Sequence, residues 1–286
     1  MAECREVTAV AELIDMFSYT FVQRAVVVGL LISLCAALLG VILVQKRYSL
    51  IGHGLGDVGF ASTSLAVALG LPILPVSIPI VIVAACAIMF YSQKVKSSGD
   101  IAIGMVATGS LAAGVVITAV SGGFNVDVND YMFGSILAMS SLDVTLSLIL
   151  SVVIIALFVV CYNRLFLVTC DETFARASGI RVGFYQFVIA LLTALTVVLG
   201  MRMMGSLLIS SLIIFPAVTA GKLVKSFKSV VVVSVVLSMV CFLLGIILSF
   251  KINLPTGASI VLVNIAVLVV VTVGNRLAGR KRPGMA

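Results

Sequence analysis

Long stretches without a charged residue constrain the fold of this chain more than any other feature. Eight such runs divide the sequence: Ala25–Gln45, Val58–Gln93, Ile101–Val126, Val144–Asn163, Val182–Met201, Met203–Gly221, Ser229–Phe250 and Ile252–Asn275. A helix needs about 20 apolar residues to cross roughly 30 Å of hydrocarbon. The second run has 36 residues and contains Pro72, Pro75 and Pro79, so it predicts two helices. The pattern predicts an all-α integral membrane protein, a polytopic bundle of eight to nine transmembrane helices.

Composition excludes the main alternatives to a membrane protein. Hydrophobic residues make up 62% of the 286 positions and charged residues only 10%, whereas soluble domains are about half apolar and about a quarter charged. This excludes a soluble enzyme, a disordered chain and a nucleic-acid-binding module. The six cysteines form no CxxC pair, so they indicate neither a disulfide framework nor a zinc knuckle.

The basic residues indicate the orientation of the chain in the membrane. If the loop after the first span is cytoplasmic, 14 of the 18 basic residues lie on that side, and most acidic residues lie outside. This is the positive-inside pattern, and it predicts an outer N-terminus and a cytoplasmic C-terminus in a plasma membrane. We expect an outer interfacial segment at 1–20, one transmembrane domain at 21–276 and a basic cytoplasmic tail at 277–286.

One segment, Ser49–Ala61, carries ionisable groups deep in a span. His53 and Asp57 are four residues apart, so they share one helix face. With a helix that begins near Tyr48, Asp57 lies roughly 14 Å deep, where a carboxylate needs a partner or a cavity. The pair could form a structural hydrogen bond or a metal or proton site on a pathway, and we favour the second. Four glycines thin the helix and allow another backbone to approach: Gly52, Gly54, Gly56 and Gly59.

The rest of the chain offers few further ligands. His53 is the only histidine, and no Asp or Glu follows Glu172. One chain therefore cannot build a four-ligand site from histidine and acidic side chains inside the membrane. Two chains about a two-fold axis could supply two imidazoles and two carboxylates, which would neutralise one divalent cation. This is a hypothesis of a homodimer with a shared metal site.

The longest basic cytoplasmic loop, Arg164–Gly179, predicts a short helix at about 170–179 along the membrane surface. Thr169 or Asp171 can cap its start, and Gly179 can end it. It suits a docking element, with a simple amphipathic linker as the alternative. The chain has no GxxxxGK[ST] motif, since Gly274–Lys281 comes nearest but has Arg280 at the lysine position. We therefore expect no ATP site and no enzyme activity in the chain itself.

Three weaker patterns leave their roles open. Gly104, Thr108 and Ala112 recur at a spacing of four, beside Gly109 and Gly114, and this group favours close helix packing. The mid-span Asn264 could bond across helices or line a path. A methionine cluster surrounds an arginine and could bind a soft metal, although packing is the favoured interpretation: Met201, Met203 and Met204.

Taken together, these residues resemble the membrane permeases of bacterial ABC importers for zinc, manganese and iron. The similarity covers nearly the whole chain. It is carried by the second-helix segment, the coupling-helix segment and two parts of the C-terminal half: Arg47–Ala61, Asp171–Gly179, Gly205–Ala220 and Pro255–Ala258. The family usually has Asp and then His in the second helix. In this chain His53 comes before Asp57, on the same helix face. The late helices contain no histidine, a favoured ligand of zinc, so the transported metal could be manganese as well as zinc.

The resemblance implies a homodimeric permease that moves Zn²⁺ or Mn²⁺, with Fe²⁺ ranked third. An extracellular lipoprotein would deliver the metal, which would pause near His53 and Asp57. ATP bound at separate cytoplasmic subunits would drive alternating access through a coupling helix that contains Asp171, Glu172, Ala175 and Gly179. The alternatives are a proton-coupled secondary transporter, a permease for a metal chelate or siderophore, and a membrane enzyme or scaffold.

Overall fold

The computed structural model describes residues 20–94, 99–121, 141–252 and 254–277. Within these ranges the chain forms nine long helices and one short helix, α6. In chain order they are α1 Thr20–Gln45, α2 Ile51–Ala68, α3 Ile73–Lys94, α4 Gly99–Val120, α5 Ser141–Cys170, α6 Glu172–Ala177, α7 Val182–Met204, α8 Ser206–Leu223, α9 Phe227–Ile252 and α10 Thr256–Leu277. The predicted all-α membrane bundle is confirmed. All but the last residue of the proposed interfacial segment and all but the first residue of the basic tail lie outside the described residues.

Eight of the nine long helices are long and apolar enough to cross a membrane, and the ninth is α2. This helix carries His53 and Asp57 among its glycines and serines, which lower its hydropathy. The bundle therefore includes one polar helix among apolar ones. Lipid contact would be costly for such a helix, so it needs protein or an aqueous path around its polar face.

The helix α2 begins at Ile51, three residues later than the sequence predicts. Arg47 has a φ of 61°, and the Tyr48 amide donates to the Leu43 carbonyl at 2.8 Å. A left-handed residue interrupts helical hydrogen bonding, so the chain turns here before α2 starts. Asp57 is thus about 9 Å along α2 from its first residue, less deep than expected.

The 36-residue run splits where its prolines predict. The helix α2 ends at Ala68, and the turn that follows contains Gly70 with a φ of 65°. The helix α3 begins at Ile73, directly after Pro72, where a proline breaks no helical hydrogen bond. Pro79 lies inside α3.

The helices α1, α7 and α8 form the centre of the bundle, because they are the most buried of the apolar spans. The central α1 packs against α5, α7, α8 and α9, while α2 packs mainly on α4 and also on α3, α7 and α8. The helices α4, α5 and α10 expose most of their apolar surface, as is usual for the periphery of a membrane protein. The polar helix α2 is thus attached to the centre on one side and to a peripheral helix on the other.

Packing between α2 and α4 corrects one sequence expectation. Gly104, Thr108 and Ala112 are exposed, so this small-residue row packs on no other described helix of the chain. The contact uses Ile103 and Ala107 instead, together with Gly114, which is the one residue of the predicted small-residue group that packs on α2. Spacing alone predicts a stripe of small residues but not which neighbour, if any, lies against it.

Candidate functional site

The glycines of α2 let two neighbouring helices approach closely. A Cβ atom on Gly56 would lie 3.0 Å from the Cβ atom of Ser206, and one on Gly52 would lie 3.5 Å from the Cα atom of Ser210. Both pairs join α2 to α8, and their order shows that the two helices run antiparallel. Small residues on both sides allow this contact, which brings the α8 serines beside the polar helix.

The opposite flank of α2 packs on α4. A Cβ atom on Gly54 would lie 2.6 Å from the Cγ2 atom of Ile103, and one on Gly114 of α4 would lie 2.7 Å from the ring of Phe60. Gly59 is buried. The predicted close approach of another helix is therefore found at Gly52, Gly54 and Gly56. The contacts with α4 and α8 together fix the rotation of α2 about its own axis.

His53 and Asp57 lie on the face of α2 between these two contacts. Each residue advances the helix by about 100°, so His53 follows the α8-facing Gly52 and precedes the α4-facing Gly54. His53 is exposed and Asp57 is half-buried. Farther along the same face, the buried Ser64 accepts a hydrogen bond from the Thr118 hydroxyl at 3.2 Å. The polar face is therefore closed by α4 at one end and open at His53.

Metal-binding side chains are sparse around this pair. Among the residues that the structure describes, no three His, Cys, Asp or Glu side chains come together. The sequence analysis missed Ser206 and Ser210, which the packing places beside α2. Their spacing of four matches that of Gly52 and Gly56, and this match could have indicated the contact. The Ser210 hydroxyl donates to the Ser206 carbonyl at 2.8 Å, so it is satisfied within its own helix.

The short helix predicted in the loop is α6, and its start is determined by Asp171. The Asp171 carboxylate accepts a hydrogen bond from the Phe174 amide at 2.9 Å, which is an N-cap. Thr169 instead donates to the Leu165 carbonyl, inside α5. At the other end, Gly179 has a φ of 78° and its amide donates to the Arg176 carbonyl. The Ile180 amide donates to the Ala175 carbonyl, which completes a Schellman motif.

One face of α6 is buried and the other is exposed. Ala175 packs in a small cluster with Val168, Ile180 and Val182, which belong to the neighbouring segments. Phe174, by contrast, is 57% exposed. The sequence analysis missed this aromatic residue, although its place next to the buried Ala175 on a short helix could have indicated an outward position. Large exposed aromatic residues are typical of contact surfaces.

Glu172 is partly exposed and joins three segments. Its Oε1 atom accepts hydrogen bonds from the Lys46 ammonium at 2.8 Å and from the Gln186 amide at 2.9 Å. Burial raises the pKa of the Glu172 carboxyl, but Lys46, Gln186 and Arg176 together hold it below its ordinary value. The carboxylate is therefore ionised at neutral pH, and it keeps the end of α1 beside α6 and α7.

The weaker candidates are accounted for by packing. Met201 and Met204 are buried in the hydrophobic core, while nothing is described for the side chain of Met203. Asn264 is buried and donates to the Ile260 carbonyl one turn earlier in α10 at 2.9 Å. Its amide group is thus used within its own helix.

Comparison with known proteins identifies the family. The model of the ABC 3 transport family matches residues 18–275. The chain belongs to the ABC 3 transport family. The match spans the first nine described helices in full and α10 up to residue 275, so α2 and α6 both lie within the matched range.

Two named relatives span most of the chain. The manganese import system permease protein ScaB of Streptococcus gordonii is 26% identical over 89% of this chain and 91% of its own length. The high-affinity zinc uptake system membrane protein ZnuB of Haemophilus influenzae is 28% identical over 86% of this chain and 94% of its own length. These names support the predicted resemblance to metal permeases.

A solved structure has the same fold. PsaBC from Streptococcus pneumoniae, in complex with a Fab, matches with a TM-score of 0.81 and 27% identity, over 92% of this chain and 95% of that chain. Together with the eight apolar spans, this confirms the predicted multi-pass membrane protein of an ABC transporter family. The roles of individual residues in transport remain predictions.

Proposed function

We propose that this chain is the transmembrane permease of an ABC importer that moves a divalent metal ion, Zn²⁺ or Mn²⁺, into the cytoplasm. Relatives named for manganese and for zinc support the substrate class. Separate ATPase subunits power the transport, and an extracellular binding protein delivers the ion. The permease alternates between outward-open and inward-open states because each state offers different contacts to its partners.

The observation that carries this proposal is the position of His53 and Asp57. They lie one turn apart on the open face of α2, which is less apolar than the other long helices that the structure describes. An imidazole and a carboxylate suit Zn²⁺ or Mn²⁺, and both reach one ion at this spacing. The remaining spans of this chain contribute no histidine and, after Glu172, no acidic residue.

A second copy of the chain completes the site in our proposal. The pair supplies two ligands where a protein-built site for a divalent ion usually has three or four. The open end at His53 faces away from α4 and α8. Two copies about a two-fold axis place two such pairs opposite each other, with a net ligand charge that neutralises the ion.

The helix α6 is the contact for the ATPase subunit in this proposal. Its exposed side presents Phe174 and Arg176, while Ala175 and Gly179 hold its inner side and its end. An aromatic residue beside a cation suits a partner groove with an apolar floor and an acidic rim. Asp171 acts through the cap that starts the helix.

The test is metal uptake by the complete transporter in proteoliposomes, with the ATPase subunit, the binding protein and ATP. We expect Asp57→Asn and His53→Ala each to lower uptake of Zn²⁺ or Mn²⁺ by about tenfold or more. Loss of a residue that only orients a metal ligand already lowers metal affinity or activity by about tenfold, and loss of the ligand itself should lower it at least as much. The matched control is Thr63→Val, which removes a hydroxyl from the same helix and should keep near-normal uptake. Fe²⁺ is measured in parallel to rank the metals.

Three outcomes would contradict the proposal. Unchanged uptake in both variants would remove His53 and Asp57 from the pathway. Uptake without the ATPase subunit, driven by a proton gradient, would indicate the secondary transporter instead. Uptake of a metal chelate but not of the free ion would indicate the siderophore class.

A further inference from the structure

Glu172 connects α6 with the turn that leads into α2, the helix that carries His53 and Asp57. Lys46, its partner at 2.8 Å, immediately follows α1 and lies seven residues before His53 in the sequence. The residues between them form the tight turn at Arg47 and Tyr48 and the first turn of α2. The carboxylate therefore contacts α2 through one side chain and one short turn.

The two donors in this contact are buried, while the acceptor reaches the surface of α6. The side chain of Lys46 is 7% exposed, that of Glu172 is 41% exposed, and Gln186 is 5% exposed. The exposed side of α6 also presents Thr173, Phe174 and Arg176. A partner that binds this side would press on α6 and Glu172, while Lys46 and Gln186 stay inside the permease.

The ion pair adds a long-range connection between α6 and the end of α1. Without it, α6 would be held by the adjoining segments and by the small cluster around Ala175. Lys46 lies 126 residues away in the sequence. Its positive charge at the C-terminus of α1 and the negative charge at the N-terminus of α6 also suit both helix dipoles.

We propose that Glu172 is a positioning residue for energy coupling, which transmits movement of α6 through Lys46 to the turn at the start of α2. The inference rests on the proposed function and adds a defined route from the ATPase contact to His53 and Asp57. A displacement of α6 moves the ends of α1 and α7 with it, because both donate to the same carboxylate oxygen. The helix α2 then tilts relative to the rest of the bundle without a direct contact with the ATPase.

The test measures metal taken up per ATP hydrolysed by the reconstituted transporter. We expect Lys46→Met and Glu172→Gln each to lower this ratio by about fivefold or more, which is the lower end of ordinary coupling. ATP hydrolysis should continue. The exchanged pair Lys46→Glu with Glu172→Lys restores the attraction and should recover a large part of the ratio. A thermal unfolding scan of each variant excludes loss of folding as the cause.

The matched control is Lys228→Gln, which removes an exposed cation at the start of α9. Its uptake per ATP should equal that of the wild type. If both single variants take up as much metal per ATP hydrolysed as the wild type, the inference is wrong. Metal uptake by the wild type would in that case still support the proposed function. Loss of the ratio in both variants without recovery in the exchanged pair would overturn it too, because the two residues would then act separately. If Lys46→Met does not fold, Glu172→Gln decides, since it removes the charge of the pair and keeps the size of the side chain.

Discussion

Gly40 lies where α1 and α8 are in backbone contact. The space for its missing side chain is filled by the Ile213 carbonyl group of α8, whose carbon atom would lie 2.9 Å from a Cβ atom. Nearby, the Ser238 hydroxyl of α9 donates to the Ser33 carbonyl of α1 at 3.1 Å. In a membrane, where burial from water does not drive helices together, such close packing and hydrogen bonding hold the centre of the bundle.

We therefore expect Gly40→Ala to destabilise the protein by about 1–3 kcal/mol, because the new methyl group must push α1 from α8. The midpoint of thermal unfolding of the purified protein in detergent measures this. Gly274→Ala is the matched control, since no heavy atom lies within 4 Å of the added methyl group. That variant should gain up to about 1 kcal/mol from helix propensity. Equal midpoints for wild type and Gly40→Ala would contradict the backbone contact.

At the scale of the element, α6 is a six-residue helix whose start and end are both held by specific contacts. Its length is below that of a stable isolated helix. The Asp171 cap, the Schellman motif at Gly179 and the cluster around Ala175 supply the missing stability. Glu172 adds a charged contact to α1, and this part of the stability depends on pH.

The pH dependence follows from the lowered pKa of Glu172. A carboxyl group whose pKa is lower in the folded state stabilises the fold above its ordinary pKa, and this contribution is lost as the pH falls through the lowered pKa. The unfolding midpoint of the wild type should therefore exceed that of Glu172→Gln by a constant difference at neutral pH. The difference should shrink below the ordinary value of 4.5.

Thr173→Ala serves as the control for this titration, because it changes an exposed, uncharged residue of the same helix. Its difference from the wild type should not change with pH. A Glu172→Gln difference that stays constant down to the acid limit of folding would show that the ion pair contributes nothing to stability.

At the scale of the whole molecule, two contacts place helix ends on the same side of the bundle. Lys46 meets Glu172, so the end of α1 lies beside α6. The Asn275 amide donates to the Lys222 carbonyl at 2.9 Å, so α8 and α10 end together. With helices that alternate in direction, both groups lie on the side to which the charge pattern assigns the cytoplasm.

This orientation predicts opposite accessibility for the turns before and after α9. In a chain without native cysteines, Pro255→Cys should react with a membrane-impermeant maleimide in right-side-out vesicles. Lys225→Cys should react only after the membrane is permeabilised. Both positions are exposed in the structure, so burial does not explain a difference. Labelling in the reverse order would contradict the assigned orientation.

Local sequence signals predicted the helices and several of their ends. Uncharged runs predicted the spans, prolines divided the longest run, and Asp171 and Gly179 marked the short helix. These signals act over a few residues, through hydrophobic thickness, backbone geometry and capping. The start of α2 was predicted three residues too early, because the left-handed turn at Arg47 involves a residue type that rarely marks one.

The sequence by itself determined that the protein spans a membrane, and it identified His53 and Asp57 as the polar residues of one helix face. Only the tertiary structure decided what surrounds that face: Ser206 and Ser210 on one flank, and Ile103 and Ala107 on the other. It also decided that Glu172 pairs with Lys46. Such contacts join helices that lie far apart in the sequence, and a single sequence carries no local signal for that distance.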